Sequence, residues 1–206
     1  MMNVIFGANG ASGRELIALL NPKTTLAALR VPAEDDFFAA RNVATDVADA
    51  LDAEAVAALV AKHQPQIIVS FVGGKNEQGV RSDAVGNIHI IQTACTHAPN
   101  AHLVLITSMG CGEQWEHTSE PVRQFLGEAL LAKTEAEKVL RESALNWTIV
   151  RPCGLNNDES EQYCLTENRL EMPQNYMSRN GLAHAVAHIL VEPAAHNHKV
   201  YSACAE

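Results

Sequence analysis

Apolar residues fall into short runs, separated by longer stretches with helical spacing, and the two kinds of pattern alternate along the chain. Residues 4–6 are a Val-Ile-Phe run; Leu16, Ile17, Leu19 and Leu20 then follow at the spacing of one helix face. Residues 24–29 read as a second strand, which ends at Arg30 and which Val31-Pro32 keeps from continuing. Residues 42–44 read as a short third strand. Asp52 is placed to cap an alanine-rich helix through Lys62, because its carboxylate accepts from first-turn amides. The run 66–72 reads as a buried strand stopped by Gly73-Gly74, and Ser82 or Asp83 as the cap of a helix to about His97. A strand at 102–107, a helix within 120–143, a strand at 147–150, a helix at 178–190 and a strand at 199–202 complete the alternation. Strands joined through helices imply a mostly parallel sheet with both faces covered. The expectation is a single α/β domain over residues 1–206, a doubly wound Rossmann-type sheet. Residues 155–176 carry the least pattern; polar, long and following a strand, they are expected to form a substrate lid.

The turn between the first strand and the first helix carries the strongest chemical signal. Gly7, Gly10 and Gly13 stand as G-x-x-G-x-x-G, with Ala8, Asn9, Ala11 and Ser12 between them and Arg14 next. Strand, glycine turn and helix in that order make a dinucleotide site. The first glycine turns the chain off the strand, the second lets backbone approach a pyrophosphate, and the third lets helix and strand pack closely. The helix N-terminus presents open N–H groups and a positive dipole end to the phosphates.

Composition narrows the picture. A net charge of −9 invites neither nucleic acid nor an anionic membrane as partner. No apolar run approaches the roughly 20 residues that span a bilayer. Residues 1–6 lead straight into the first strand without a basic segment or cleavage site. The five cysteines (Cys95, Cys111, Cys153, Cys164, Cys204) are scattered and never C-x-x-C. A reduced, cytoplasmic enzyme without structural disulfides or a zinc site, acting on a small molecule, is expected.

Ligands of an open parallel sheet bind beyond the strand C-termini. That rule gathers residues 7–13, Arg30, Asp46-Val47, residues 71–74, 108–112 and 152–155 around one crevice. An NAD site usually carries an acid at the end of the second strand; here that position is Arg30, with Arg14 a second cation nearby. A guanidinium pairs bidentately with a 2′-phosphate, so NADP(H) is expected over NAD(H). Asp35 and Asp36 are acids close by, and they follow the proline break. Asp46 is placed either to accept from an adenine amino group or to cap its own loop.

These motifs together resemble the atypical short-chain dehydrogenase/reductases. The glycine turn ending in Arg14, the basic end of strand two, Thr107-Ser108, Ala132-Lys133-Thr134-Glu135-Ala136-Glu137 and Arg151-Pro152 stand in the same order as in that superfamily. The chain is most similar to its NAD(P)H-binding group of NmrA-like and biliverdin reductase B-like (flavin reductase) proteins; residues 138–143 resemble the latter. The resemblance implies strand order 3-2-1-4-5-6-7 and usually NADPH. It places Gly7, Gly10, Ala11, Ser12 and Gly13 at the pyrophosphate, with Asn9 and Arg14 in the same turn, and Arg30 at the 2′-phosphate. It places Asp46 and Val47 at the adenine, and Phe71, Val72 and Gly73 under the adenosine half. Pro152, Cys153 and Gly154 match the loop that touches the nicotinamide, and Ser108 and Lys133 match the active-site serine and lysine.

One position departs. The superfamily's tyrosine lies four residues before its lysine, where this chain has Ala129. Ordinary ketone–alcohol chemistry wants a positioned acid there. A flavin, quinone or linear tetrapyrrole acceptor takes hydride at a conjugated centre and can draw its proton from water. The expected function is therefore an NADPH-dependent reductase of such an acceptor; the alternative is a non-catalytic NADP(H)-binding sensor of the NmrA type. Lys133 is read either as a site residue or as a solvated lysine paired with Glu137, and Ser108 as a donor to the ligand or as a turn cap. Cys111, between two glycines, is an accessible thiol at the crevice mouth or simply a small loop residue. His184 and His188, four apart, lack the third ligand of a metal site and read as surface residues, as do His196 and His198.

Overall fold

The computed structural model describes residues 2–168, 170 and 176–205. Among the described residues there are ten strands and six α-helices, alternating up to β6. In chain order they are β1 (Asn3–Phe6), α1 (Ala11–Leu19), β2 (Thr25–Leu29), α2 (Phe37–Ala40), β3 (Ala44–Val47), α3 (Ala53–His63), β4 (Ile67–Ser70) and α4 (Val85–His97). There follow β5 (His102–Ile106), α5 (Glu120–Glu142), β6 (Asn146–Pro152), β7 (Gly154–Asn156), β8 (Cys164–Thr166), β9 (Tyr176–Ser178), α6 (Arg179–Val191) and β10 (Lys199–Cys204). Eight strands form one sheet ordered β3-β2-β1-β4-β5-β6-β10-β8. The first seven run parallel, as expected for a Rossmann-type sheet; β8 is added antiparallel to β10 at the edge.

Alternation along each central strand supplies both faces. Val4 and Phe6 of β1 join Leu103 and Leu105 of β5 in one core, beneath residues of α3, α4 and α5. Ile5 of β1 and Val104 of β5 point the other way, into the core that α1 and α6 cover. Strands buried on both faces read as apolar runs, which is why 4–6, 66–72 and 102–107 were visible in the pattern. Asp52 caps α3 as expected, accepting from the Glu54 and Ala55 amides at 3.0 and 3.1 Å.

Three local expectations are corrected. The third strand spans Ala44–Val47 rather than 42–44, so Asp46 and Val47 lie within it. Its position follows from backbone pairing with β2 (Leu26↔Ala44 to Leu29↔Val47), whereas its side chains, largely exposed, leave no apolar signature. Neither Ser82 nor Asp83 caps α4, which starts at Val85 after Ala84; the Asp83 carboxylate is turned elsewhere. The segment 155–176 is not unpatterned chain throughout: it contributes to β7 and β9, which pair in parallel, and contains β8. Residues 169 and 171–175 of that segment lie outside the described residues. Among the described residues, no helix is long and apolar enough to cross a membrane.

Candidate functional site

The glycine turn is built as its spacing demands. Gly7 adopts φ +72°, and a Cβ there would sit 2.9 Å from the Phe71 carbonyl carbon. At Gly13 a Cβ would lie 2.4 Å from the Gly7 oxygen, so the turn closes only without one. Gly10, the α1 N-cap, supplies no side-chain acceptor. The first-turn amides of α1, at Ala11, Ser12 and Gly13, therefore remain available for an anion. Two cavities meet at this turn, of about 370 and 290 Å³. Both include Gly7, Gly10 and Phe71, so they form one crevice over the strand C-termini, with the turn as a shared wall. Its two compartments and the open amides between them fit a dinucleotide with the pyrophosphate at the turn.

The larger compartment is lined by Asn9, Arg30 and Val31, by Ala48, Asp49 and Ala50, and by Phe71, Val72, Gly73 and Ser82. The two arginines expected at this end differ, and only Arg30 lines the cavity. Arg30 is exposed and makes no hydrogen bond or ion pair among the described residues. Arg14 is committed: its Nη1 and Nη2 donate to Asp35 at 2.8 and 3.1 Å, its Nε donates to Asn9 Oδ1 at 3.1 Å, and its guanidinium lies 4.6 Å from the Phe37 ring centre. The hydrogen bond from Arg14 holds the Asp35 carboxyl below the usual range. Asp46 does not line the crevice. Lys62 Nζ and His63 Nε2 each lie 2.8 Å from its Oδ2 and, the lysine bond foremost, hold its pKa to about 2. Val47 is half-exposed outside the cavity; Asp49 takes the lining position that spacing had given to Asp46.

The smaller compartment is lined by the turn and by Ile106, Thr107, Lys133, Pro152, Leu155, Arg179 and Leu182. Lys133 does not pair with Glu137. Its Nζ lies 3.0 Å from Asp83 Oδ1, a carboxylate whose side chain is 2 % exposed. Asp83 Oδ2 also accepts from the Gly74 amide and from Arg81 Nη1, each at 3.0 Å. A Cβ at Gly73 would reach 2.8 Å from Asp83 Oδ1 and 3.2 Å from Lys133 Nζ, so this glycine makes room for the pair. Ser108 Oγ donates to the Met109 carbonyl at 3.0 Å and does not line the cavity. Pro152 lines it. Cys153 is buried beside it, its thiol pushed up by burial and 3.7 Å from the Gly154 carbonyl. Gly154 instead abuts the Tyr176 ring, which a Cβ would meet at 2.6 Å.

Asp83 and Arg179 were missed as site residues. A lone acid in a polar loop carries no periodic signal, and its partner stands 50 residues further along the chain. Arg179, which donates to Asn157 Oδ1 at 2.7 Å, is brought in by α6 from a turn of no readable motif. The Cys111 thiol is fully buried, 3.6 Å from the Leu130 carbonyl, because Gly110 and Gly112 (φ +92° and +57°) fold the loop under α5. Burial, then the charge of Glu137, pushes its pKa up to about 12, so it is not an accessible thiol. His188 packs between the rings of Tyr163 and His196 at 6.1 and 5.5 Å, and His184 faces Glu161 at 3.8 Å. Among the described residues, no three His, Cys, Asp or Glu side chains are grouped to hold a metal.

The glycine turn, the parallel sheet and the crevice over its strand ends have the form of a dinucleotide-binding fold. The NAD(P)H-binding family model matches residues 7–193, and the chain belongs to that family. Anaerobilin reductase ChuY from Escherichia coli O157:H7 is similar in structure, with a TM-score of 0.86 and 26 % identity over 100 % of this chain and 97 % of that one. A short-chain dehydrogenase/reductase from Veillonella parvula, solved with NADP, shares the fold at TM-score 0.73 and 18 % identity, covering 98 % of this chain and 93 % of that one. An uncharacterized chloroplastic protein of Arabidopsis thaliana is 30 % identical over 114 residues, 53 % of this chain, and the match spans 40 % of that protein's length.

Proposed function

We propose that this protein is an NADPH-dependent reductase that passes hydride to a small conjugated acceptor of flavin, quinone or open-chain tetrapyrrole type. The observation that carries the reading is the smaller compartment: Lys133, held by the buried Asp83, faces the glycine turn beside Pro152, Leu155 and Leu182. Bound NADPH would supply the hydride. The chain's own residues bind and orient: α1 amides hold the pyrophosphate, Arg30 the 2′-phosphate, and Asp49 lies at the adenine end. Lys133 keeps a cation where negative charge gathers on the acceptor. Ala129 stands one helical turn before Lys133, so no phenol occupies the superfamily's acid position, and the acceptor takes its proton from solvent. The likeness to an anaerobilin reductase supports the tetrapyrrole class within this range.

The turned-away Ser108 hydroxyl favours the second reading, a non-catalytic NADP(H) sensor of the NmrA type. NADPH consumption with FMN, biliverdin and quinones separates the two. Turnover with one of them is expected; tight NADPH binding with no turnover of any rejects the reductase and supports the sensor.

A further inference from the structure

The sheet ends in a ladder of three residue pairs between β10 and β8: Ser202↔Thr166, Ala203↔Leu165 and Cys204↔Cys164. The last pair sets two cysteines directly opposite each other on antiparallel strands. Residues so paired point to the same face, with Cα atoms about 4.5 or 5.5 Å apart according to the hydrogen-bonding position. Either spacing lies inside the roughly 4.4–6.8 Å that a disulfide spans. Cys164 is exposed and Cys204 is 6 % exposed, so the pair joins a solvent-facing residue to a buried one.

The remaining cysteines are placed differently. Cys111 is fully buried beneath α5, Cys95 is exposed on α4 on another part of the fold, and the Cys153 thiol is buried against the Gly154 carbonyl. The β8–β10 pair alone has direct cross-strand register among the described ladders.

We infer that Cys164 and Cys204 form a reversible disulfide that fastens β8 to the sheet edge under oxidising conditions. With a hydroperoxide as oxidant, the Cys164 thiolate attacks the peroxide oxygen. The O–O bond breaks, and a sulfenic acid and, for hydrogen peroxide, water result. Cys204 sulfur then attacks Cys164 sulfur, the S–O bond breaks, and a second water leaves. The two thiols give up two electrons and two protons, and the peroxide takes them. A dithiol reductant returns both thiols. The pairing matters for the crevice because β8 belongs to the chain segment from which Asn157 accepts a hydrogen bond from Arg179. Fastening β8 therefore holds the segment that seats a crevice cation.

The test uses the full chain and reads no catalytic activity, so it stands or falls apart from the reductase reading. Protein treated with hydrogen peroxide and digested without reduction is expected to give the Cys164 peptide joined to the Cys204 peptide. The cross-link should disappear on dithiothreitol and in C164S, and should persist in C95S. Oxidised wild type should melt roughly 5–10 °C above reduced wild type, a shift absent from C164S. C164S changes an exposed position, so loss of folding does not confound it. Oxidation of Cys164 to sulfinic acid with Cys204 still alkylatable, a Cys153–Cys204 cross-link, or no change in melting would each overturn the inference.

Discussion

Two ion pairs leave α5 one turn apart, and they serve opposite ends. Glu137 meets Arg151 of β6, with Oε1 and Oε2 accepting from Nε and Nη2 at 3.0 and 2.6 Å; the two side chains are 1 % and 0 % exposed. Burial works against the Arg151 cation, but the Glu137 hydrogen bond and charge outweigh it and raise its pKa. Thr107 Oγ1 donates to Glu137 at 2.7 Å, and Gly112 is needed because a Cβ there would strike Arg151 Nη2. This pair binds helix, strand and loop beneath the crevice floor. Lys133 and Asp83 are linked at 3.0 Å as well, but the lysine side chain keeps 17 % of its surface exposed, toward the cavity. The first pair is buried and closed off from the crevice, with Glu113 and Arg141 at its outer side; the second leaves a cation available to a ligand. Neighbours at i,i+4 on one helix thus went to different partners, because the C-terminal end of β6 on one side and the 74–83 loop on the other offered buried counter-ions that outcompete a solvated helical pair.

The largest effect should come from breaking the closed pair. Glu137→Ala leaves the buried Arg151 with the partly exposed Glu113 as its remaining counter-ion, 3.1 Å from Nη2, and unfolding stability should fall by about 3 kcal/mol in urea melts. Glu137→Met with Arg151→Met should recover most of that loss, since two apolar side chains remove the stranded charge. A loss below about 1 kcal/mol in the single variant would show that the pair is not the floor's fastening.

The open pair should break in the other currency, rate. Lys133→Met removes one of the two cations lining the smaller compartment, leaving Arg179, while Asp83 keeps Arg81 and the Gly74 amide. Turnover of whichever acceptor reacts is expected to drop about 100-fold, with a smaller loss of stability than Glu137→Ala gives. Unchanged turnover would remove Lys133 from the site.

Arg30 and Arg14 repeat the contrast on the cofactor side, one without an ion-pair partner among the described residues and one locked to Asp35 and Asn9. Arg30→Asp should weaken NADPH binding by roughly tenfold or more, about 1.4 kcal/mol, and leave NADH binding nearly unchanged; isothermal titration with both cofactors measures it. Equal losses for the two would sink the 2′-phosphate assignment.

The same comparison explains what could be read in the chain. Central strands such as β1, β4 and β5 announced themselves because burial on both faces demands an unbroken apolar run. The glycine turn was legible because each glycine answers a steric demand local to the turn. Edge strands were not: β3 takes its place from β2's backbone groups, and β8 from β10's, with side chains free to be polar. The partner of a charge was legible least of all, because Asp83 and Arg151 are chosen by where the sheet brings distant loops together, not by spacing on a helix.

Asp46 adds a third, solvent-facing pair and the smallest effect. The family resemblance implied an adenine contact for this aspartate; in the structure Lys62 and His63 hold it, and Asp49 lines the cavity. Its carboxyl titrates near about 2 in the folded protein, below its ordinary value of 3.8. The contribution is therefore complete above about pH 4 and drains away as pH falls through about 2, because the unfolded chain takes up the proton first. Asp46→Asn should cost under about 1 kcal/mol at pH 7, as expected of a screened pair, and the gap from wild type should close toward pH 2 in urea melts. NADPH affinity should stay within about twofold in this variant. A tenfold loss of affinity would return Asp46 to the adenine and mean that Lys62 and His63 release it when cofactor binds, whereas a loss in Asp49→Ala with Asp46→Asn unaffected would fix the adenine end of the crevice one turn beyond β3.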